Sequence, residues 1–430
     1  MVSPKSCDIF CSVVDNYGDI GVCWRLARQM ANEHGLQVRL WVDDLCSFGK
    51  LCPELDVGLE GQVCRGVEVR WWDSNVEGAQ QVFPHPQSLS RWEREACADL
   101  VIGAFACVLP PAYVAAMAAR EAKPVWINLE YLSAEDWVES HHGLPSPHPT
   151  LPLTKYFFFP GFTEKTGGLL LERGLLERRD AFQSDAMVQA EYWQGLGVPP
   201  RVEGELRMSL FGYENEAMEA LLSEWEQGSH LVTCLLPEGR ALPQVAVYFG
   251  NRVEKEQDTV RAEPVEAHSS FDKLRTNGKE DSLRVNGSLV GEVWQRGNLR
   301  VHVFPFVEQE QYDLLLWACD INFVRGEDSC VRAQWAGRPF IWQIYPQHDG
   351  VHLEKLEALR RLYTAGLPDE VALAVQKMWV SWNGGQGVAT AWRDFAAQRT
   401  VLAKHGVGWA QRLSKNSLAL NLLDFLRRTD

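Results

Sequence analysis

The chain has 430 residues, which is too long for one ordinary core and about right for two domains of roughly 150 to 200 residues. A formal net charge of -15 argues against general nucleic-acid binding, because affinity for phosphates comes from clustered Lys and Arg. No apolar run approaches the roughly 20 residues that span a bilayer, and the start shows no signal region, so we expect a cytoplasmic protein without membrane contact.

Strand and helix patterns alternate through the first half of the chain. The first 45 residues predict a parallel βαβ start, made of CDIFCSVV, the loop DNYGDIG, VCWRLARQMANEHG and QVRLWVDD. The alternation continues through VEVRWW, a helix near 90–98, LVIGAFACV, a helix near 112–122 and VWINLEYL. We predict one doubly wound α/β domain over 1–200, with KYFFFPGF in an ordered loop.

A second alternating series begins near Leu206. Its strands read RMSLFGY, HLVTCLLPEG, LRVHVFPFV, DINFVRG and RPFIWQIYP. Residues 251–298 interrupt it with a polar, charged stretch that predicts a flexible surface insertion. We predict a second Rossmann-like domain over 201–385 and helices over 386–430 that pack back on the first domain. Two such lobes facing across a cleft resemble the glycosyltransferase architecture called GT-B.

Cysteine usage gives little sign of a functional role. The 11 cysteines are scattered, odd in number and without a CxxC pair. We therefore expect reduced, mostly buried thiols, with neither a disulfide framework nor a metal site.

The loop DNYGDIG leaves the end of the first strand, where open α/β sheets bind ligands. It lacks the glycine fingerprint of dinucleotide sites and the Lys of a phosphate-binding P-loop. It offers two carboxylates instead, Asp15 and Asp19, as candidate catalytic groups, and we expect Tyr17 and Gly18 to contact substrate. The alternative is that each Asp only caps the following helix.

A second candidate site lies in FVRGEDS, which joins a strand end to a helix start. Such a junction directs unpaired backbone amides and the positive end of the helix dipole at an anion. A diphosphate bound there would explain Arg325 and the Ser329 hydroxyl together, and Glu327 could hold a sugar hydroxyl or support the reacting centre. We also expect Gly326 to contact substrate. Asp328 and Ser329 could also simply cap the helix.

Aromatic residues in the second half could bind a nucleoside base. Phe211 and Tyr213 follow a strand, and Tyr312 comes three residues after Gln309. Stacking rings and an amide can hold a base, although ordinary core packing explains the same residues.

Seven motifs carry a resemblance to a known family. They are CDIFCSVVDNYGDIGVCWRLARQ, RLWVDDL, NLEYLSAEDWV, KYFFFPGFTEKTGG, SLFGYE, LLWACDINFVRGEDS and VRAQWAGRPFIWQIYPQ. Together they resemble the elongation factor P arginine rhamnosyltransferase family over nearly the whole chain, except for 251–298. Two departures are that insertion and Tyr312, which stands where family members often have Phe.

The resemblance implies a GT-B fold and inverting transfer of L-rhamnose from dTDP-β-L-rhamnose to one arginine of elongation factor P, which activates that factor for polyproline translation. It implies no metal and no cofactor. By matching motifs, the essential carboxylates are Asp15, Asp19 and Glu327. The matching nucleotide-sugar contacts are Phe211, Tyr213, Gln309, Tyr312, Arg325, Asp328 and Ser329.

Two other functions remain open at this stage. A GT-B transferase could use another sugar nucleotide or a small-molecule acceptor, since the fold does not dictate the substrate. A nucleotide-sensing binding module would need neither Asp15 nor Asp19 for its activity.

Overall fold

A computed structural model describes residues 6–13, 17–73, 97–250, 289–346 and 350–429 of the chain. In these ranges no helix combines the length and apolar character needed to cross a membrane. The 11 cysteines are free, and all except Cys46 and Cys107 are buried, as the sequence predicted.

The N-terminal lobe is built on a sheet of eight strands in the described ranges, ordered β3-β4-β2-β1-β5-β6-β8-β7. Its elements are β1 (Ser6–Cys11), α1 (Gly18–Asn32), β2 (Gln37–Val42), α2 (Leu45–Leu51), β3 (Gly61–Cys64), β4 (Val67–Trp71), β5 (Leu100–Ala104), α3 (Pro111–Ala119), β6 (Val125–Leu129), α4 (Val138–His141), β7 (Pro145–Pro147) and β8 (Thr154–Phe158). β1 pairs in parallel with both β2 and β5. Chain order therefore reverses at β1, and such a reversal opens a crevice at the carboxyl ends of the strands.

Two sequence predictions for this lobe need correction. Helix α1 begins at Gly18 rather than at Val22, so Asp19 lies in its first turn. The KYFFF segment is strand β8, which pairs in parallel with β6, and not a loop. Its aromatic side chains favour a strand, but the Pro-Gly pair that follows is typical of turns, so the sequence predicted a loop several residues too early. The helix predicted near 90–98 lies mainly outside the described residues.

The C-terminal lobe has a second sheet, in which the described strands are ordered β11-β12-β10-β9-β13-β14. Helices α5 (Leu175–Ser184) and α6 (Ala186–Gly195) lead into it. Its elements are β9 (Leu206–Leu210), α7 (Met218–Gln227), β10 (Val232–Pro237), α8 (Leu242–Tyr248), β11 (Val293–Arg296), β12 (Leu299–Phe304), α9 (Gln309–Ala318), β13 (Ile321–Arg325), α10 (Asp328–Ala336) and β14 (Phe340–Gln343). Chain order again reverses, here between β9 and β13.

The end of the predicted insertion is also corrected. Residues 251–288 lie outside the described residues, but Val293–Arg296 form strand β11, which pairs antiparallel with β12. Gly297 and Asn298 connect the two strands, and Gly297 has a φ of 53°. A two-residue Gly-Asn connection is a hairpin signal that the polar composition of the segment concealed.

Five helices follow the second sheet and pack on different lobes. They are α11 (Val351–Thr364), α12 (Asp369–Trp382), α13 (Val388–Ala397), α14 (Arg399–Leu413) and α15 (Leu418–Thr429). Phe395 and Trp409 join the core of the C-terminal lobe. Leu418 and Leu422, on α15, join the core of the N-terminal lobe instead. The predicted α/β architecture of two Rossmann-like lobes is confirmed, whereas the exact domain boundaries stay a prediction.

The return of α15 depends on a close backbone contact at Gly168. The Leu169 amide donates to the Asn416 carbonyl at 3.1 Å, and the Leu418 amide donates to the Leu169 carbonyl at 2.9 Å. Gly168 has a φ of +77°, and a Cβ atom there would lie 2.3 Å from the Asn416 carbonyl oxygen.

We therefore expect Gly168→Ala to destabilise the protein through both backbone strain and a clash with backbone. Gly197→Ala is the matched control, because Gly197 has a φ of +69° and nothing within 4 Å of the added methyl. The free energy of unfolding should fall by about 1–3 kcal/mol more for Gly168→Ala than for the control. Denaturant titration measures the difference, and equal losses would contradict the clash.

Candidate active site

The two sheets place their ligand-binding edges on one cleft. Its volume is about 600 Å³, part of which is open to solvent. The lining residues of the N-terminal lobe are Tyr17, Gly18 and Leu51. Those of the C-terminal lobe are Phe211, Pro237, Phe306, Val307, Gln309, Tyr312, Arg325, Gly326, Asp328 and Ser329. The rings of Tyr17 and Phe306 meet across the lobes with centroids 4.5 Å apart.

Arg325 is held between two aromatic rings. It ends β13, and its guanidinium carbon lies 4.6 Å from the Phe211 ring centre and 4.4 Å from that of Tyr213. Phe211 and Tyr213 follow the neighbouring strand β9, so the reversal of chain order brings these three residues together. Tyr213 is 4% exposed and is absent from the described cleft lining, whereas Phe211 and Arg325 both line the cleft. A cation within about 6 Å of two aromatic ring centres is attracted to both rings, and these contacts restrict where Arg325 can lie.

Helix α10 directs its N-terminus at the cleft. Its N-cap residue is Glu327, whose side chain makes no capping hydrogen bond to the first turn. Ser329 accepts from the Arg325 amide at 3.0 Å and donates to the Arg325 carbonyl, so its hydroxyl braces the turn that presents Arg325. A buried cation beside an uncapped helix start suits an anion such as a diphosphate.

Glu327 contacts the opposite lobe. Its carboxylate accepts a hydrogen bond of 2.8 Å from the backbone amide of Leu132, which lies shortly after β6. Glu327 is therefore placed between the lobes, although it is not among the described residues that line the cleft.

Of the two acidic residues predicted in the N-terminal lobe, the structure describes one. Asp19 lies in the first turn of α1 and is 4% exposed. It does not belong to the described cleft lining, but Tyr17 and Gly18 immediately before it do. Asp15 lies outside the described residues. The predicted roles of both carboxylates stay predictions.

Asp328 and Gln309 connect the lobes as well as lining the cleft. The Asp328 carboxylate accepts from Arg25 Nε at 3.1 Å and from Gln309 Nε2 at 3.3 Å. Gln309 also donates to the Gly21 carbonyl at 3.0 Å. The Tyr312 ring packs edge-on against Phe211, with centroids 5.6 Å apart. Asp328 thus makes an ion pair with the other lobe from its place in the first turn of α10.

A cluster of buried charges lies behind this contact. Arg25 binds Glu172 at 3.2 Å and Asp313 at 3.3 Å. Arg332 binds the same two carboxylates, each at 2.6 Å. Burial alone would raise the pKa of Glu172, but the two guanidinium groups hold that pKa well below its usual range. Burial raises the pKa of Asp328, and Arg25 and Arg332 oppose that effect.

Several residues of this site were missed from the sequence. Pro237 ends β10, while Phe306 and Val307 follow β12, so all three lie at carboxyl ends of parallel strands, where the general rule for α/β sheets would have found them. Leu51, at the end of α2, and the buried Arg25 carry no sequence signal of their own.

Comparisons with known proteins agree with this geometry. Two Rossmann-like lobes that share a cleft, with a last helix that crosses back, define the GT-B class of glycosyltransferases. A family model described as "Elongation-Factor P (EF-P) rhamnosyltransferase EarP" matches residues 7–427. The chain belongs to this elongation factor P rhamnosyltransferase family.

Curated and solved relatives support the same membership. The chain is 46% identical over 423 residues to a protein-arginine rhamnosyltransferase of Pseudomonas putida, covering 98% of each chain. It is 45% identical over 421 residues to one of Pseudomonas aeruginosa, again covering 98% of each. It also resembles a solved structure from work on the structural basis for EarP-mediated arginine glycosylation of translation elongation factor EF-P. That likeness has a TM-score of 0.63 at 33% identity and covers 99% of this chain and 100% of the other.

The cluster of buried charges should contribute to the stability of the fold. Arg332→Met should lower the free energy of unfolding by about 3–5 kcal/mol, because Asp313 and Glu172 would lose a buried partner. Arg393→Met is the control, since Arg393 is 64% exposed and binds Glu224 at 2.6 Å, and its loss should change stability little. Denaturant titration compares the two. A small loss for Arg332→Met would show that the cluster contributes little.

Proposed function

We propose that this glycosyltransferase transfers L-rhamnose from dTDP-β-L-rhamnose to a guanidinium nitrogen of one arginine of elongation factor P. The proposal is supported by one arrangement. A cation and an uncapped helix start form one wall of the cleft, and the helix that carries Asp19 begins at the other. Membership of the elongation factor P rhamnosyltransferase family supplies the acceptor and the sugar.

The donor would bind the C-terminal lobe. Phe211 and Tyr312 would pack on the base, and Gln309 would contribute an amide. Arg325 and the first-turn amides of α10 would hold the diphosphate. Because these groups can offset the negative charge that grows on departing dTDP, the transfer would need no metal ion.

The acceptor arginine needs activation, because its guanidinium is protonated, delocalised and has a pKa above about 12. A carboxylate pair can grip the planar group and turn one nitrogen toward the anomeric carbon. In this proposal Asp19 accepts the proton as the nitrogen–carbon bond forms, and Asp15 orients the guanidinium. The bond from the anomeric carbon to the dTDP oxygen breaks on the opposite face, so the configuration inverts.

Glu327 would support the reacting centre from the donor side, for example by holding a sugar hydroxyl. Its hydrogen bond from the Leu132 amide supports this role, because it puts the Glu327 carboxylate between the lobes.

The proposed acceptor is a translation factor, so the reaction would take place in the cytoplasm and adapt elongation factor P to polyproline stretches.

The direct test is incubation of the purified protein with dTDP-β-L-rhamnose and elongation factor P, followed by peptide mass spectrometry. We expect one deoxyhexose on a single arginine. Consumption of the donor without an adduct on the factor, or activity only with another sugar nucleotide, would favour a GT-B enzyme with a different substrate.

Asp19→Asn should reduce the transfer rate by at least about a hundredfold, because it removes the proposed proton acceptor. Its dTDP affinity should stay within about twofold of the wild type, since the donor contacts lie on the other lobe. Isothermal titration and the mass assay measure the two quantities. Asp394→Asn is the control, because Asp394 is 43% exposed and pairs with Lys377. Undiminished transfer by Asp19→Asn would remove this residue from the mechanism.

Ser329→Ala should weaken dTDP binding by about tenfold, because the turn that presents Arg325 loses its hydroxyl brace. The measurement is the dTDP dissociation constant. Ser414→Ala is the matched control, since the Ser414 hydroxyl donates to the Gln411 carbonyl at the surface, away from the cleft lining. If both variants bind dTDP equally well, the donor site does not depend on Ser329.

A further inference from the structure

Helix α1 approaches the C-terminal lobe most closely at Gly21. A Cβ atom built on Gly21 would lie 3.1 Å from Asp328 Oδ2 and 3.3 Å from Gln309 Nε2. The Gly21 carbonyl also accepts from Gln309 Nε2 at 3.0 Å. An added methyl group would therefore require the two lobes, or these two side chains, to move by a few tenths of an ångström.

Neither side chain can move away easily. Asp328 is held by Arg25 Nε at 3.1 Å. Arg25 is itself 2% exposed and bound to Asp313 and Glu172. The Gln309 side-chain oxygen accepts from Arg28 Nη2 at 3.0 Å. The contact is thus stiff on both sides, because each partner is fixed by a further ion pair or hydrogen bond.

This contact lies between the two halves of the proposed site. Asp19 precedes Gly21 by two residues on α1, which corresponds to about 3 Å along the helix axis. Asp328 is the first residue of α10, next to Ser329 and three residues after Arg325. A shift of α1 against α10 would change the separation between the Asp19 carboxylate and the turn that would hold the diphosphate.

We propose that Gly21 and Arg25 are positioning residues, which set the distance between Asp19 and the donor-binding turn through Asp328 and Gln309. Neither needs to touch a substrate. Gly21 permits the close approach of α1 to α10, and Arg25 holds the Asp328 carboxylate, which lies next to Gly21. The inference rests on the proposed function, because it assigns the acceptor chemistry to α1 and the donor to α10.

Gly21→Ala separates positioning from stability. Alanine is a better helix former than glycine, but its methyl group would crowd Asp328 and Gln309, so the two effects on stability oppose each other. A displacement of a few tenths of an ångström should lower kcat by about tenfold, since misalignment of reacting groups is costly. The dTDP dissociation constant should stay within about twofold, and the variant should remain folded at the assay temperature, which its thermal midpoint checks.

Gly408→Ala is the matched control. Gly408 lies inside α14, where an added methyl meets nothing within 4 Å, so kcat should be unchanged. Wild-type kcat in Gly21→Ala would overturn the inference. A tenfold loss of dTDP affinity at unchanged kcat would also overturn it, because the contact would then serve binding. If the wild type itself transfers no rhamnose, the proposed function fails and this inference fails with it.

Arg25→Lys and Arg25→Met test the second residue. Lysine keeps the charge but cannot reproduce the planar fork that reaches three carboxylates, so kcat should fall by about tenfold with a small change in dTDP affinity. The Met variant should lose at least tenfold more than the Lys variant. Equal kcat for the Lys variant and the wild type would exclude Arg25 from positioning. If the Met variant does not fold, kcat of the Arg25→Lys and Gly21→Ala variants still tests whether Arg25 and Gly21 are positioning residues.

Discussion

A buried cation determines how the two lobes meet. Arg25 belongs to the N-terminal lobe and is 2% exposed, yet two of its carboxylate partners, Asp313 and Asp328, lie on the C-terminal lobe. Leaving such a charge without partners would be very unfavourable, so the arrangement that satisfies it is strongly preferred. These ion pairs hold α1 of the N-terminal lobe close to α9 and α10 of the C-terminal lobe, and this contact sets the width of the cleft.

The remaining features of the cleft follow from the sheets on either side. In each lobe the order of strands reverses, and the carboxyl ends next to that reversal open toward the other lobe. Arg325 comes from β13 and Phe211 from the end of β9, so their stacking is a direct result of strand order. Glu327 adds a second lobe contact through the Leu132 amide. The chemistry is thus assembled from elements distant in sequence but fixed by topology.

Much of this could be predicted from the sequence, because periodic elements leave a local pattern. The βαβ start and the strand before Arg325 belong to that group, and the family motifs contain Tyr17, Phe211 and Arg325, which line the cleft. Arg25 could not be predicted, since its importance depends on burial against residues about 300 positions away. The β11 hairpin was missed because its segment has a polar composition, and strand β8 was missed because a Pro-Gly pair follows it. In both cases the pairing strand is what defines the structure, and a short stretch of sequence does not show it.

The return of α15 has a consequence for biosynthesis. Leu418 and Leu422 cover part of a core whose other members begin at Cys7, so the first lobe is completed only after the whole second lobe has been synthesised. Until then its apolar face is open to solvent and to other chains. Domains that close in this way are exposed to misassembly for longer than those that finish before the next begins. Cellular yield of this enzyme should therefore be sensitive to chaperones that shield nascent apolar surfaces.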